Sequence, residues 1–268
     1  MRLNKLALAM SLALFALPLS AMAQDATDTT EPAADSVQAA STDAAPVATE
    51  DAAAEEPASN LSWNLSLNSD YLFRGYSLNS ESPALQGGLD YSFGDSGFAV
   101  GTWASNVDFD DADGPDLEWD TYVSWNHDLS DDWNINILYD YYTYVGSRSA
   151  YGNINYGELF GSLTYGGKYK FTVVYANDYG NSGLSTLYYE GSGSWDLSHA
   201  VTLFASLGYQ TWDKDLGMKD YTNYSLGVSR AFGPVTAKLG WYGTDNNGTD
   251  NFGNLAGDRV FLSFGIGG

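Results

Sequence analysis

The stretch LSWNLSLNSDYLFRG, residues 61–75, places an apolar side chain at nearly every second position. Leu61, Trp63, Leu65 and Leu67 alternate with polar residues, and Tyr71 and Phe73 extend the same phase. A β-strand directs successive side chains to opposite faces, so the stretch would have one apolar face and one polar face. Aromatic residues near the ends of the apolar face and charges on the other are typical of a transmembrane strand around a polar lumen. We therefore predict such a strand here.

The same alternation returns along the rest of the chain. Eleven further segments show it, and their apolar positions begin at Leu85, Gly101, Leu117, Trp133, Leu159, Tyr169, Leu187, Val201, Tyr224, Val235 and Val260. The sequence thus predicts an all-β protein, an antiparallel up-and-down transmembrane β-barrel of about 12 strands, with 10 or 14 as the open alternatives. A soluble periplasmic sandwich is the competing fold.

The predicted connections alternate in length, which favours the barrel. The short ones are residues 94–97, 128–132, 166–167, 196–198 and 232–234. The long ones, rich in Asp, Asn, Gly and Ser, are residues 76–82, 110–116, 146–153, 178–183, 213–220 and 244–257. Outer-membrane barrels have short periplasmic turns and longer extracellular loops. We therefore place the short connections in the periplasm and the long ones outside the cell.

Aromatic residues make up 15% of the chain, and many fall near strand ends. Residues of this kind form girdles at the two membrane interfaces of outer-membrane barrels. The predicted girdle residues are Trp63, Tyr71, Trp103, Trp119, Trp133, Trp195, Tyr209 and Trp241.

The N-terminal part has a different composition. Residues 1–23 combine Arg2 and Lys5, an apolar run and an Ala-x-Ala site at Ala21–Ala23, which together predict a cleaved signal peptide. Residues 24–59 are rich in Ala, Asp, Glu, Thr and Pro and have no aromatic residue, so we interpret them as a disordered acidic tether. Residues 60–268 form the predicted barrel.

Charge and cysteine content narrow the function. Asp and Glu total 34 against 11 Lys and Arg, for a net charge of -23, which excludes nucleic-acid binding by basic clusters. Cysteine is absent from the sequence, so no disulfide framework and no thiolate metal site can form. No cofactor is implied.

Three stretches carry a family resemblance. SDYLFRGYS at residues 69–77, PALQGGLDY at 83–91 and GTWASNVDF at 101–109 are similar to sequences of the TorF-type porin family of Gram-negative bacteria. The resemblance is specific over these stretches and generic beyond them. It implies an outer-membrane barrel with no assigned substrate. Such barrels usually end on an aromatic residue that the barrel assembly machinery reads, whereas this chain ends FLSFGIGG, so Phe264 would have to serve from an internal position.

If the apolar face points to lipid, the opposite phase carries the lumen charges. These candidate selectivity residues are Asp70, Arg74, Asp90, Glu118, Asp120, Asp140, Glu158, Lys170, Glu190, Lys238 and Arg259. Acids outnumber bases among them, so the fixed field would favour cations. We expect a narrow passive channel for small, preferably cationic or neutral solutes, with Arg74 paired to Asp90 or Asp70. The open alternative is that these charges pair across the lumen and plug it.

Other functions are open alternatives. A closed barrel could bind a partner or surface ligand through its long loops, and a barrel enzyme could act on lipid. His127 and His199 have no suitably placed serine, so we expect no enzyme. The acidic loop at residues 108–116 lacks EF-hand spacing and is read as a solvated loop, with calcium-bridged lipopolysaccharide at that rim left open. The expected partners are outer-membrane lipid and lipopolysaccharide, the assembly machinery and small solutes.

Overall fold

The computed structural model describes residues 60–149, 151–197 and 200–268. The predicted signal peptide (1–23), the predicted tether (24–59) and His199 lie outside these described residues. None of the helices in the described ranges combines the length and the hydropathy that a membrane-spanning helix requires.

Within the described ranges, twelve strands close into one antiparallel barrel, and two further short strands form a separate ladder. The strands are β1 Leu61–Asn68, β2 Leu72–Phe73, β3 Tyr76–Ser77, β4 Ala84–Ser92, β5 Phe98–Asn106, β6 Leu117–Asp128, β7 Trp133–Val145, β8 Tyr156–Tyr165, β9 Tyr169–Ala176, β10 Thr186–Leu197, β11 Val201–Trp212, β12 Tyr221–Phe232, β13 Val235–Thr244 and β14 Arg259–Gly267. One helix, α1 Asn246–Phe252, lies between β13 and β14. Short 3-10 turns occupy Gly94–Ser96, Tyr179–Asn181, Lys214–Leu216 and Gly253–Ala256.

Each barrel strand pairs with its neighbours in chain order, and β1 closes the ring. Leu65 in β1 stands opposite Gly87 in β4 and opposite Ile266 in β14. The predicted twelve-stranded antiparallel up-and-down β-barrel is confirmed. The turns and loops divide as expected into a short-turn end, which also holds the start of β1, and a long-loop end.

The outer face of the barrel is apolar. Leu207, Leu226 and Val260 expose 60%, 56% and 58% of their surface, and many aliphatic and aromatic residues around the barrel are similarly exposed. Soluble proteins rarely expose continuous apolar surface on this scale. The alternate positions turn inward and are mostly polar, as the two-residue period of a strand requires.

The first strand is shorter than its sequence pattern predicts. It ends at Asn68, and residues 69–83, which we call the inner hairpin, fold into the barrel. Tyr71 and Phe73 are therefore buried at 1% and 3% exposure, so the prediction that they continue the lipid-facing side of β1 was wrong. The turn begins at Asp70, whose carboxylate accepts hydrogen bonds from the Tyr71 N–H at 2.7 Å and the Ser77 hydroxyl at 2.6 Å. Asp side chains commonly form such local turns.

The tip of the inner hairpin requires glycine. Arg74 and Gly75 have φ angles of 48° and 85°, the left-handed values that a tight two-residue hairpin needs. A Cβ at Gly75 would lie 2.7 Å from Asn223 Cβ and 2.7 Å from Thr244 Cγ2. The hairpin backbone thus packs directly on the barrel wall at β12 and β13.

Helix α1 covers the inner hairpin at the long-loop end. Asp245 caps the helix by accepting hydrogen bonds from the N–H groups of Asn247 at 3.0 Å and Gly248 at 3.1 Å. Phe252, its last residue, stacks on Tyr76 with ring centroids 3.9 Å apart and planes at 6°. The lumen is thus filled from the long-loop end by the hairpin and by the loop that follows β13.

Candidate functional site

The structure places the eleven candidate charges in two settings. Those on the inward phase of barrel strands are Asp90, Glu118, Asp120, Asp140, Glu158, Lys170, Glu190, Lys238 and Arg259, whereas Asp70 and Arg74 lie on the inner hairpin. Lys170 is exposed near the short-turn end and Arg259 is half-buried, while the others are buried. Most of these charges therefore have little contact with open water.

Arg74 pairs across the lumen with Glu158 rather than with Asp90 or Asp70, so the predicted pairing was wrong. One guanidinium nitrogen lies 2.6 Å from Glu158 Oε2, and the other terminal nitrogen donates to Gln210 Oε1 at 2.8 Å. The reason is geometric: Arg74 sits at the hairpin tip, which the turn at Asp70 directs across the barrel to β8 and β11. Because both ends of the ion pair are 1% exposed, removing either partner would leave a buried charge, at a cost of about 3–5 kcal/mol.

Aromatic rings enclose the same guanidinium. The Arg74 Cζ lies 4.5 Å from the centroid of the Phe73 ring and 4.5 Å from that of Tyr188. The Tyr221 hydroxyl donates to the backbone carbonyl of Arg74 at 3.0 Å. Cation–π contacts at desolvated sites contribute about 2 kcal/mol or more, so the hairpin tip is held by charge, hydrogen bonds and ring faces together.

Three further carboxylates, on the two strands next to β8, lie near this ion pair: Glu118, Asp120 and Asp140. Asp140 in β7 stands directly opposite Glu158 in β8. Glu118 and Asp120 lie on the inward phase of β6, and Asp120 stands opposite Tyr142, two residues beyond Asp140 on the same face of β7. Directly opposed side chains on one face of a sheet have Cβ atoms about 5 Å apart, so these groups share one region of the lumen. Like charges at such positions destabilise the barrel unless donors or cations reach them.

Hydroxyl groups satisfy part of this acidic region. The Tyr71 hydroxyl of the inner hairpin donates to Glu118 Oε1 at 2.6 Å, and the Tyr142 hydroxyl donates to Glu158 Oε2 at 3.1 Å. Oδ1 of Asp120 and Oε1 of Glu158 have no hydrogen-bond partner among the described residues. The region thus holds more acceptor oxygens than the neighbouring donors satisfy.

The base of the inner hairpin is fixed by a second ion pair. Arg259 in β14 donates to Asp70 Oδ2 at 2.8 Å and to the backbone carbonyls of Asn254 and Leu255. Burial raises the pKa of the Asp70 carboxyl above its usual value, while the hydrogen bonds from Ser77 and Arg259 act in the opposite direction. Arg259 thus joins the hairpin to the loop that follows α1.

The short-turn half of the lumen has a different lining. Small polar residues such as Ser62, Asn64 and Ser66 are partly exposed there. Lys238 lies over the Phe204 ring, with its Nζ 4.5 Å from the centroid. Asp90 accepts a hydrogen bond from the Tyr122 hydroxyl at 2.5 Å. The lumen is therefore more open toward the short turns and filled toward the long loops.

Two of the predicted girdle residues, Tyr71 and Trp103, face the lumen instead of lipid. Trp103 is 7% exposed, and its ring meets that of Tyr71 edge-on at 5.5 Å. The sequence does not show which face of β5 points to lipid. Its outward residues include Thr102 and Ala104, which are no more apolar than the residues on its inward face. Trp119, by contrast, faces outward and is 49% exposed.

Three residues that contact the hairpin tip were not predicted from the sequence. Gln210, Tyr188 and Tyr221 hold Arg74, although they lie far from it in sequence. The alternation of their strands predicts that these residues face the lumen, but it does not predict that they contact Arg74. The one local signal was the Arg74–Gly75 pair, a turn sequence inside a stretch read as continuous strand.

The remaining candidate chemistry is not assembled into a site. His127 faces outward near a short turn, where it is exposed and stacks on Trp125 with ring centroids 5.2 Å apart. In the acidic loop after β5, Asp113 pairs with Arg148 at 3.2 Å on the surface. In the part of the chain that the structure describes, no group of three or more His, Cys, Asp or Glu side chains is arranged to hold a metal ion.

A family model described as "Bacterial protein of unknown function (Gcw_chp)" matches residues 51–261. The chain belongs to this family. The match covers every barrel strand in full except β14, of which it includes residues 259–261, so the Gcw_chp family and the barrel coincide over most of the chain. The family description names no substrate, and the TorF-type name suggested by the sequence resemblance is not part of it.

No curated protein matches the sequence of this Gcw_chp protein. Among solved structures it is similar to the KdgM porin, with a TM-score of 0.47, 8% identity, and coverage of 77% of this chain and 97% of that one. The NanC porin gives a TM-score of 0.47 at 13% identity, covering 77% and 97%. LpxR from Salmonella typhimurium gives 0.42 at 9% identity, covering 77% and 99%. All of these TM-scores are below 0.5.

Proposed function

We propose that this Gcw_chp protein is an outer-membrane barrel of a Gram-negative bacterium that acts as a narrow passive channel for small solutes. One observation carries the proposal: a closed ring of strands has an apolar, exposed outer face and a polar, charged interior. The apolar outer face would contact the lipid bilayer, and the polar interior would contact water or solutes. In this proposal the signal peptide is cleaved on export, the short turns lie in the periplasm and the long loops face outward.

The channel would be narrow for two reasons. A barrel of twelve strands encloses less space than the 16-stranded porins that leave an open aqueous channel. The inner hairpin then fills much of the long-loop half, where Arg74 reaches Glu158 on the opposite wall. The solutes that pass would have to be small or would have to displace the hairpin.

We further propose that the channel prefers cations. The acidic region formed by Glu118, Asp120, Asp140 and Glu158 faces a single buried guanidinium, that of Arg74. Fixed carboxylates in a confined, low-dielectric passage attract cations and repel anions. The two lysines and Arg259 lie on other parts of the wall, so they do not cancel this local field.

A closed barrel that binds a partner through its long loops is the second candidate. The observation that favours it is burial: Arg74, Asp140 and Glu158 expose 1% or less of their surface. Charges lining an open aqueous path would be expected to contact water. If the hairpin never leaves the lumen, the loops at the outer end become the functional surface.

The proposed location in the outer membrane also indicates which partners the barrel would meet. Membrane lipid and lipopolysaccharide would surround the barrel, and the assembly machinery would read the last strand. Phe264 is in phase with Leu262 and Ile266 on the lipid-facing side of β14, the position proposed for that signal. We propose no cofactor and no enzymatic activity.

The test is single-channel recording from purified protein in planar bilayers with asymmetric KCl. Wild-type protein should give small current steps with a cation-selective reversal potential. Neutralising Glu118→Gln, Asp120→Asn and Asp140→Asn together should shift that potential toward zero. A matched control neutralises three exposed loop acids instead, Asp110, Asp111 and Asp215.

Folding must be verified first, by the heat-modifiable gel mobility of a closed barrel. Silence from folded wild-type protein would favour the closed barrel. Steps whose ion selectivity is the same in wild-type and lumen-neutralised protein would reject the assignment of these carboxylates as the filter.

A further inference from the structure

We propose that the barrel wall contains a binding site for guanidinium-type organic cations, which the Arg74 side chain of the inner hairpin occupies as a tethered competitor. The site, which we call the guanidinium pocket, consists of Glu158 on β8, Tyr188 on β10 and Gln210 on β11. Because it names the solute class of the same lumen, this inference rests on the proposed channel for its role in transport. Its binding step can be measured without any current.

Each wall residue supplies a different part of guanidinium recognition. Glu158 provides a carboxylate 2.6 Å from one terminal nitrogen of Arg74, and Gln210 provides an amide oxygen 2.8 Å from the other. The Tyr188 ring covers the flat face of the group, with its centroid 4.5 Å from Cζ. A planar cation with forked donors is the group that matches an acceptor at each terminal nitrogen and an aromatic face.

The pocket is built by the barrel, not by the hairpin. Its three residues come from three different strands, whose backbones are fixed by the hydrogen-bonded ladders on either side. Glu158 and Gln210 lie 84 and 136 residues from Arg74 in sequence. The wall would therefore keep this arrangement if the Arg74 side chain were withdrawn.

Even with Arg74 bound, some donors and acceptors in and beside the pocket have no hydrogen-bond partner among the described residues. The Nε of Arg74 has no hydrogen-bond partner among the described residues, and Oε1 of the buried Glu158 has none within that part of the chain either. Asp140 stands directly opposite Glu158, beside the pocket. Native proteins pair nearly all buried polar groups, so unpaired acceptors next to a bound guanidinium indicate room for further donors. A free cation could turn to use donors that the tethered arginine cannot align.

A metal ion explains the pocket less well than an organic cation does. No group of three acids in the described ranges is close enough to hold a metal. Cross-strand carboxylates about 5 Å apart suit a group with several separated N–H donors, because each acceptor can then receive its own hydrogen bond. Agmatine, which carries a guanidinium at one end and an ammonium at the other, has this chemistry.

Competition between solute and hairpin follows directly. A tethered side chain acts at a high effective concentration, so Arg74 would weaken the apparent affinity for a free cation. A cation that binds in its place would also release the hairpin tip from the wall. Entry of the preferred solute would thereby be linked to opening of the lumen.

The experiment measures agmatine binding by isothermal titration calorimetry on the refolded full-length protein in detergent. Arg74→Gln removes the competitor, so we expect its affinity for agmatine to exceed that of wild type at least tenfold. Adding Glu158→Gln to Arg74→Gln should abolish the gain. Arg230→Gln is the matched control, because Arg230 is exposed on the outward face of β12 and the substitution makes the same change in charge.

Equal agmatine affinity in Arg74→Gln and Arg230→Gln would overturn the inference. So would a gain that survives Glu158→Gln. If Arg74→Gln does not fold, Gly75→Ala serves as the second variant, because it displaces the tip without changing the pocket, and the same affinity gain is expected. Binding without current in bilayers would reject the proposed channel and keep the site, whereas cation-selective current without agmatine binding would reject the site and keep the channel.

Discussion

Replacing Gly75 by alanine should release the inner hairpin from the barrel wall. Gly75 has a φ of 85°, where an L-residue costs roughly 1–2 kcal/mol. The new methyl group would also lie 2.7 Å from Asn223 Cβ, 2.7 Å from Thr244 Cγ2 and 3.0 Å from the carbonyl oxygen of Gly243. Overpacking of this kind costs about 1–3 kcal/mol. The docked state should therefore lose about 2–5 kcal/mol relative to the undocked state.

The assay is thiol labelling at a single introduced cysteine. The natural sequence contains no cysteine, so Leu78→Cys on the buried part of the hairpin provides a unique reporter. When opening and closing are fast, the labelling rate follows the undocked population. A loss of about 2 kcal/mol corresponds to roughly a 30-fold faster rate, since each 1.4 kcal/mol is a factor of ten.

Gly152→Ala is the matched control. Gly152 has the same φ of 85°, but a Cβ there would meet no atom within 4 Å. It lies in the loop between β7 and β8, so its backbone strain should leave labelling at Leu78→Cys unchanged. Equal rates in the Gly75→Ala and Gly152→Ala backgrounds would refute the claim that Gly75 packs against the wall and holds the hairpin in place.

Three further predictions concern single side chains. Trp103→Ala should raise the hairpin labelling rate because its ring packs on Tyr71, whereas Trp119→Ala, on the outer face, should leave that rate unchanged. Leu207→Arg should destabilise the barrel by about 2–4 kcal/mol in urea titrations in lipid vesicles, because Leu207 is 60% exposed toward lipid; a cost near zero would mean that this face is not buried in the membrane. Tyr71→Phe removes the donor 2.6 Å from Glu118 and should lower hairpin stability by about 1–3 kcal/mol, measured by hydrogen exchange of the hairpin amides, and unchanged exchange would contradict the importance of this bond.

The barrel itself could be predicted because its rule is local. Each strand needs only an apolar residue at every second position, and β6 and β7 carry that pattern over most of their length. The parity of short and long connections then fixes an even strand number. The inward placement of Asp140 and Glu158 follows from the same two-residue period.

The inner hairpin could not be predicted in this way. Tyr71 and Phe73 have the spacing of a lipid-facing pair, and only their contacts with the lumen distinguish them from such a pair. The partners of Arg74 are Glu158 and Gln210, which no short-range pattern connects to it. The phase of Trp103 was ambiguous because both faces of β5 carry small residues. Long-range packing decided all of these positions.

The most direct test of the account is the single-channel conductance of a barrel without the inner hairpin. Asn68 pairs with Ala84, so residues 70–82 can be replaced by a short Gly-Ser turn that keeps the ends of β1 and β4 together. Heat-modifiable mobility verifies that the shortened barrel is closed. We expect larger current steps than in wild type, because the segment that fills the long-loop half of the lumen is gone. Steps of wild-type size from the folded variant would contradict a lumen filled by the inner hairpin.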